Sequence, residues 1–434
     1  VLQQHGVQWI FTLCGGHISP ILTGCNELGI RVVDVRHEAA AVFAADGVSR
    51  LSGTIGVAAV TAGPGLTNTI TAIKNAQMAQ VPVLVIGGAT AIVLKDRGSL
   101  QDIDHLSVVQ SITKYSKTIK RVRDIQPLME EAIATATSGV PGPAYLEMPV
   151  DLLYPETLVR EWYGLKSTGK SMPWWMSRYL NWHVNRIFKD KDRIYAKNEN
   201  IEGDQDLNIH FSFLSEKLKD AEKPVLLIGS QSNFIPEQNE ALANAVKGLN
   251  IPTYLSGMAR GLLSRQELPV FRHERKIALK ETDLVILAGV PCDFRLDYGR
   301  MINHKAEIIS INLSRGDMYL NRRPSRGILA DPGSFLIKLH KAENNLTQNK
   351  WKDWHQKLSE RNNERWEEIK SMAETDIKYV NPLKLCMEIN QHILEGDIIV
   401  ADGGDFVATA SYILQPRSLN GWMDPGVFGT LGVG

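Results

Sequence analysis

Two short stretches of this chain bring together residue types that could do chemistry. Arg36-His37-Glu38 follows the β-rich run Arg31–Val35 and opens the helix-like stretch Glu38–Leu51. Glu38 therefore stands where a strand hands over to a helix, the edge at which open α/β sheets keep their ligand sites. A carboxylate there can serve as general acid or base, or it can simply complement a helix N-terminus. The next β-rich run, Ile55–Val60, leads into Thr61-Ala-Gly-Pro-Gly-Leu-Thr-Asn68. Glycines on both sides of a proline let the backbone pass close to a ligand and aim helix N–H groups at it. The same residues would also make a tight strand–helix turn, and they match neither of the usual glycine-rich phosphate motifs. His17 and His37 flank these stretches, as structural histidines or as groups touching a ligand.

The elements that must hold these residues alternate. From Val1 to about Pro155, runs at Gln8–Leu13, Arg31–Val35, Ile55–Val60, Pro82–Ile86 and Ala144–Glu147 are separated by helix-like stretches such as Glu38–Leu51 and Leu66–Met78. That spacing predicts a mostly parallel sheet with helices on both faces, over residues 1–155. Residues 156–206 break the rhythm: Trp162, Trp174, Trp175 and Trp182 are mixed with Lys and Arg without a clear period. They predict a linker, packed over a domain surface or touching a membrane surface. A second alternating unit follows at 207–346, with strands expected at Pro224–Gly229, Thr253–Leu255, Asp283–Gly289 and Glu307–Asn312. Its Gly229-Ser230-Gln231 is only a partial nucleotide signal. Within the connecting segment 347–380, the charged, Trp-punctuated Trp351–Ala373 predicts a surface helix. A third unit begins in 381–434, with a helix at Leu383–Ile393, a strand at Asp397–Ala401 and the glycine-rich loop Asp402-Gly403-Gly404-Asp405.

Composition excludes several classes. The 434 residues are 44% hydrophobic and 22% charged, an ordinary globular balance. Lys+Arg and Asp+Glu both number 48, so the chain lacks the basic surplus of a general nucleic-acid binder. No apolar run approaches the roughly 20 residues of a membrane-spanning helix. Cys14, Cys25, Cys292 and Cys386 lie far apart and suggest neither a disulfide framework nor a zinc site.

Taken in order, the motifs are far more specific than any one of them. Ile10-Phe-Thr-Leu-Cys-Gly-Gly16, Arg36-His-Glu-Ala-Ala40, Ala45-Asp-Gly-Val-Ser-Arg50-Leu-Ser-Gly53, Thr61-Ala-Gly-Pro-Gly65 with Asn68, and Pro82-Val-Leu-Val-Ile-Gly-Gly88 follow one another. Gln101-Asp-Ile-Asp104, Thr113-Lys114 and Gly142-Pro-Ala-Tyr-Leu-Glu-Met-Pro-Val-Asp151 come next. This series resembles the pyrimidine-binding domain of thiamine-diphosphate enzymes in the acetolactate synthase branch, which includes 2-hydroxyacyl-CoA lyases. Ser256-Gly-Met-Ala-Arg-Gly261 and Gly429-Thr-Leu-Gly432 extend the resemblance over essentially the whole chain.

The resemblance implies successive doubly wound parallel-sheet α/β domains: pyrimidine-binding, central nucleotide-binding-like, and the start of a diphosphate-binding domain that is incomplete here. It implies C–C bond cleavage or carboligation on 2-hydroxyacyl-CoA or 2-oxo acid substrates, in a homodimer or homotetramer. By the same resemblance Glu38 hydrogen-bonds N1′ of the cofactor's aminopyrimidine, so that the neighbouring imine nitrogen can take the C2 proton of the thiazolium. A dry, apolar cleft favours such proton sharing, and Ala39, Ala40, Ala41 and Val42 are compatible with one. Gly429, Thr430 and Leu431 match the segment that meets the 4′-amino group and wedges the cofactor bent, although Leu431 by itself reads as core. Gly403 and Gly404 match the diphosphate end, whereas Asp405 departs from the Gln-His usual in the synthases. Gly16, His17 and Gln101 fall on the substrate side, and Gly16 opens room for a larger acyl or acceptor group.

Other implications concern what lies around the chain. The central unit would hold FAD, ADP or a CoA nucleotide, or nothing. Mg²⁺ would join the diphosphate through a motif beyond the last residue, since both ends of the chain look cut. The relatives suggest the endoplasmic reticulum membrane, reached by an anchor upstream of Val1. The other class of function is a non-catalytic product that keeps the fold and the dimer surface without holding the cofactor. In either case the chain as it stands is expected to bind thiamine diphosphate weakly and not to turn over.

Overall fold

The computed structural model describes residues 1–165, 172–193, 195, 208–263, 269–342 and 350–434. The chain forms two compact units, 1–201 with 426–432 and 202–425 with 433–434.

The first unit is built on a six-stranded, wholly parallel sheet. Its strands are β1 (Trp9–Thr12), β2 (Arg31–Asp34), β3 (Gly56–Val60), β4 (Val83–Ala89), β5 (Tyr115–Thr118) and β6 (Ala144–Pro149), in the order β2-β1-β3-β4-β6-β5. Every residue of β3, β4 and β6 is buried, as parallel strands covered by helices on both faces must be. Between them run α1 (Ser19–Glu27), α2 (Glu38–Ser52), α3 (Pro64–Thr67), α4 (Ile70–Ala79), α5 (His105–Val109) and α6 (Ile125–Thr137). Helix α2 starts where His37 Nδ1 accepts the Ala39 N–H at 3.1 Å, and stops at Gly53, whose φ of 71° ends the helix in the left-handed region. It lies so close to β3 that a Cβ on Gly56 would stand 1.8 Å from the Ala45 carbonyl oxygen.

Several sequence expectations change here. Leu66–Met78 is not one helix: α3 ends at Thr67 and α4 begins at Ile70. Strand β5 was not foreseen, because at the sheet edge its Tyr115-Ser-Lys-Thr is only partly buried and shows no apolar run. The segment expected as an aperiodic linker carries two helices, α7 (Glu156–Trp162) and α8 (Trp174–Phe188). Only the C-terminal half of α8 buries side chains, at His183, Val184, Ile187 and Phe188, so the helical period is weak in the sequence. Residues 166–171, 194 and 196–206 of that linker lie outside the described residues.

The second unit carries another parallel six-stranded sheet. Its elements are α9 (Asn208–Asp220), β7 (Pro224–Ile228), α10 (Asn239–Leu249), β8 (Thr253–Leu255), β9 (Val270–Phe271), α11 (Arg275–Glu281), β10 (Leu284–Ala288), β11 (Glu307–Asn312), α12 (Arg315–Met318), β12 (Arg326–Leu329) and α13 (Pro332–Ala342). The strand order is β12-β11-β10-β7-β8-β9, and the short edge strands β9 and β12 escaped the sequence reading. Helix α14 (Lys352–Ala373) is more than a surface connector. Trp351, just before it, and Trp354 are buried and donate their indole N–H groups to the carbonyls of Ala221 and Pro224, at 3.0 and 3.2 Å. The same unit includes α15 (Pro382–His392), β13 (Ile399–Val400), α16 (Asp405–Ile413) and β14 (Trp422–Met423), whose two strands pair in parallel around the buried Trp422. The expected boundary at 346 falls among 343–349, outside the described residues.

Candidate active site

In the first sheet the chain leaves β1 toward β2 on one side and reaches β3 on the other. Beyond the carboxyl ends of those two strands lies the crevice where doubly wound folds bind ligands. The loop after β1 carries Gly15, Gly16 and His17; the loop after β3 carries Thr61 to Asn68. The loops touch: a Cβ on Gly15 would stand 2.4 Å from Thr61 Cβ, so only glycine fits there. Gly63 has φ +60°, and a Cβ on it would meet Gln101 Cβ at 2.9 Å, which brings Gln101 against the same loop. Gln101 itself has φ 62°, a left-handed conformation uncommon for a side chain of its size.

Glu38 sits in this crevice at the start of α2 and is only 6% exposed. Asn68 Nδ2 donates to Glu38 Oε2 at 2.9 Å, which fixes the carboxylate. Among the described residues nothing hydrogen-bonds to Oε1, which lies 3.7 Å from the point where a Cβ on Gly65 would be. One carboxylate oxygen is thus held by the protein, the other has no hydrogen-bond partner among the described residues, and Gly65 packs beside it against Thr61, whose Cγ2 would stand 2.7 Å from a Cβ built there. His17 Nδ1 is 3.2 Å from Thr61 Oγ1, and burial, with His105 nearby, holds its imidazole below the usual histidine pKa. Gly16 is exposed, and nothing stands within 4 Å of a Cβ built on it. Ala41 and Val42 are buried in the core, but Ala40 is exposed: α2 turns it toward solvent. His37 is spent on capping α2 and is exposed.

Two residues to which the sequence assigns no role in the site support the loop from behind. His105 Nε2 accepts the Gly63 N–H at 2.8 Å, so the ring's proton is on Nδ1, which faces Glu147 Oε1 at 2.8 Å. Thr118 Oγ1 donates to the other carboxylate oxygen at 2.5 Å. His105 and Glu147 are 1% and 2% exposed. Burial opposes the charge on Glu147, yet the bonds from His105 and Thr118, with Lys95 at 3.9 Å, hold its pKa below the ordinary carboxylate value. The signal available in the sequence was an acid inside an otherwise apolar strand, Tyr145-Leu-Glu-Met148.

The remaining predicted residues stand elsewhere. Gly429, Thr430 and Leu431 belong to the first unit, in a segment whose Gly426 approaches Ala79 of α4 and whose Gly432 approaches Phe43 of α2. Leu431 is 69% exposed, so its reading as core is corrected: the turn at Gly429, φ +64°, presents it outward. Thr430 Oγ1 donates to the Leu431 carbonyl at 3.1 Å. Gly403, Gly404 and Asp405 lie in the second unit, where Gly404 (φ +87°) precedes α16 and has open space around it. Asp402 Oδ1 accepts from the backbone of Gly403 at 2.9 Å and of Val433 at 3.1 Å. Among the described residues, no three His, Cys, Asp or Glu side chains cluster at metal-binding spacing.

The sequence is similar to known proteins. Residues 1–108 match the family model described as the thiamine pyrophosphate enzyme N-terminal TPP binding domain, and residues 212–339 match that of its central domain. The chain is 44% identical over 449 residues to 2-hydroxyacyl-CoA lyase 2 of Danio rerio, covering 100% of this chain and 71% of that protein. The human 2-hydroxyacyl-CoA lyase 2 is also 44% identical, over 451 residues, with 100% and 70% covered. Acetolactate synthase large subunit IlvG of Mycobacterium tuberculosis is 28% identical over 433 residues, with 100% and 73% covered. With paired domain matches in the expected order and relatives at this identity along its whole length, the chain belongs to the thiamine pyrophosphate enzyme family.

Proposed function

We propose that this protein is a thiamine-diphosphate-dependent lyase or carboligase that cleaves 2-hydroxyacyl-CoA thioesters or joins acyl and aldehyde units. The carrying observation is the crevice itself: a buried Glu38 with one oxygen held by Asn68, beside the unobstructed space at Gly16. The 44% identity to 2-hydroxyacyl-CoA lyase 2 supports the choice of substrate class.

The residues fit the aminopyrimidine end of the cofactor. Glu38 Oε1 has no partner among the described residues, as a carboxyl that must meet a ring nitrogen requires. When bound, thiamine diphosphate supplies an acidic thiazolium carbon that adds to a carbonyl and accepts the electrons of the broken C–C bond. Glu38 holds a proton at the pyrimidine N1′. Asn68 keeps the carboxyl from rotating away. His17, pushed toward its neutral form, can hydrogen-bond a substrate oxygen without adding fixed charge.

Mg²⁺ at the diphosphate, a homodimeric or homotetrameric assembly and residence at the endoplasmic reticulum rest on the family resemblance. For the central unit we favour a bound anionic nucleotide, FAD, ADP or CoA-derived. The second unit holds a cavity of about 630 Å³ lined by Arg260, Arg272 and Arg275 together with Tyr254 and Tyr412. Burial, and then Arg260 beside it, push the Arg272 guanidinium down to about 10, so an anion there would relieve crowded positive charge.

The test compares two reactions of the full-length, cofactor-loaded protein: cleavage of a 2-hydroxyacyl-CoA and release of acetaldehyde from pyruvate. Lyase or ligase activity with little acetaldehyde is expected. Fast pyruvate decarboxylation without either would reject the reading.

A further inference from the structure

Among the described residues, helix α8 presents a row of large aromatic side chains that are mostly exposed. Trp174, Trp175 and Trp182 are 76%, 58% and 55% exposed, and Tyr179 stands between them. Trp175, Tyr179, Trp182 and Arg186 recur at helical spacing and so share one face. The opposite face buries Val184, Ile187 and Phe188 in the core of the first unit. Arg160 of α7 ties the helix down through Asn181 at 3.1 Å and Asn185 at 2.6 Å. The aromatic face is therefore mounted on a fixed support.

Within the helix its charge is one-sided: α8 contains no Asp or Glu and carries Arg178 and Arg186, whereas the segment after it, Lys189-Asp-Lys-Asp-Arg193, is mixed, with Asp190 paired to Arg123. The Arg186 guanidinium lies 5.4 Å from the Trp182 ring centroid. Trp and Tyr prefer the boundary between water and hydrocarbon, where an apolar ring and a polar N–H or O–H are both satisfied. Arg at the margin of such a face can reach anionic headgroups while its stem stays in the apolar layer. A second copy of the chain fits less well. A two-fold contact between α8 helices would gather their arginines with no acid in the helix to balance them.

We propose that the exposed face of α8 docks on an anionic phospholipid bilayer, as an interfacial contact that does not span it. This agrees with the absence, among the described residues, of any helix long and apolar enough to cross a membrane. The proposal does not rest on the reaction catalysed, since Glu38, Asn68 and Gly16 take no part, although Tyr179, Trp182 and Arg186 also border a cavity that reaches His105 and Glu147.

The test is sedimentation of the whole chain with vesicles of phosphatidylcholine alone or with about 30 mol % phosphatidylserine. Binding is expected to the mixed vesicles, at least about tenfold tighter than to phosphatidylcholine alone, and to weaken with salt. The variant Trp174→Ala/Trp175→Ala/Trp182→Ala should lose binding by about tenfold or more. Lipids brominated in their acyl chains should quench the wild-type tryptophan fluorescence more than the variant's. Should the aromatic variant fail to fold, Arg178→Glu/Arg186→Glu carries the test: it keeps the rings and should abolish the phosphatidylserine preference. Wild type that ignores both vesicles, or variants that bind like wild type, would overturn the proposal. So would self-association of wild type on a sizing column that the tryptophan substitutions abolish, because the face would then be an interface between copies.

Discussion

The imidazole of His105 takes the Gly63 backbone N–H on one side and meets the Glu147 carboxylate on the other, both at 2.8 Å. The loop that carries Asn68, and through it the grip on Glu38, is thereby braced from inside the sheet's carboxyl edge. The backbone of Gly63 is left-handed at φ +60°, and a single acceptor fixes its N–H. Replacing Glu147 by Gln keeps the shape but leaves one amide oxygen where two carboxylate oxygens were used. A cost of about 1–3 kcal/mol in urea unfolding is expected. The turnover number should fall more than substrate affinity does, because the defect lies in how the loop is aimed.

The pH dependence of that variant gives a second readout. Glu147 has its folded pKa below the ordinary value of 4.5, so folding favours the ionised form. Its contribution is fully present above that ordinary value and disappears as pH falls through the depressed one. Glu147→Gln should therefore show a shallower loss of stability below pH 4.5 than wild type, measured by urea midpoints across acidic buffers.

Glu38→Gln should leave unfolding midpoints nearly unchanged, since Asn68 can still donate to the amide oxygen. Hydrogen–deuterium exchange at C2 of the bound cofactor should slow by at least about 10²-fold, the usual worth of general acid–base help. Exchange at the wild-type rate would remove Glu38 from the mechanism.

His273 offers a test in the second unit. Its ring lies between Trp366 and Tyr412, with centroids 5.7 and 6.4 Å away, and Nε2 has no hydrogen-bond partner among the described residues. Burial, and then Arg272 and Arg365, lower its pKa from 6.5 to about 4. The unfolded chain takes up this proton first as pH falls, so stability is full above 6.5 and is lost down to about 4. At about 1.4 kcal/mol per pKa unit the loss amounts to about 3 kcal/mol. His273→Phe keeps the stacking and should flatten that part of the stability–pH curve, read from denaturant midpoints.

Glycines separate by what surrounds them. Gly56→Ala would drive a Cβ to within 1.8 Å of the Ala45 carbonyl, backbone against backbone, so a loss of about 3 kcal/mol or more is expected. Gly24→Ala, within α1 and with nothing inside 4 Å, should instead stabilise by about 0.5–1 kcal/mol. Thermal melts of the two variants should move in opposite directions.

Much of this molecule is legible in one dimension. The alternation of short apolar runs with helical stretches gives both parallel sheets, because a strand buried on two faces must be apolar along its length, as β3 and β4 are. Glu38 stands out because the strand–loop–helix order alone puts it at the sheet's carboxyl edge. The glycines at 15, 16, 63 and 65 mark the loops beside it for the same reason. These features depend on neighbours close in sequence.

The tertiary structure decided what joins distant segments. Gly63, His105 and Glu147 are successive partners, each 42 residues from the next, brought together only by the strand order that sets β6 beside β4 and β5. No period or motif encodes a hydrogen bond across such a separation. The same holds for the edge strands β5, β9 and β12, whose identity comes from pairing with a neighbour and not from their own composition. It holds for α8, whose tryptophans read as an aperiodic linker until half of the helix is packed on the core and the other half is left facing out. Local pattern fixes which residues can form an element. Long-range packing fixes which faces of it remain free to act.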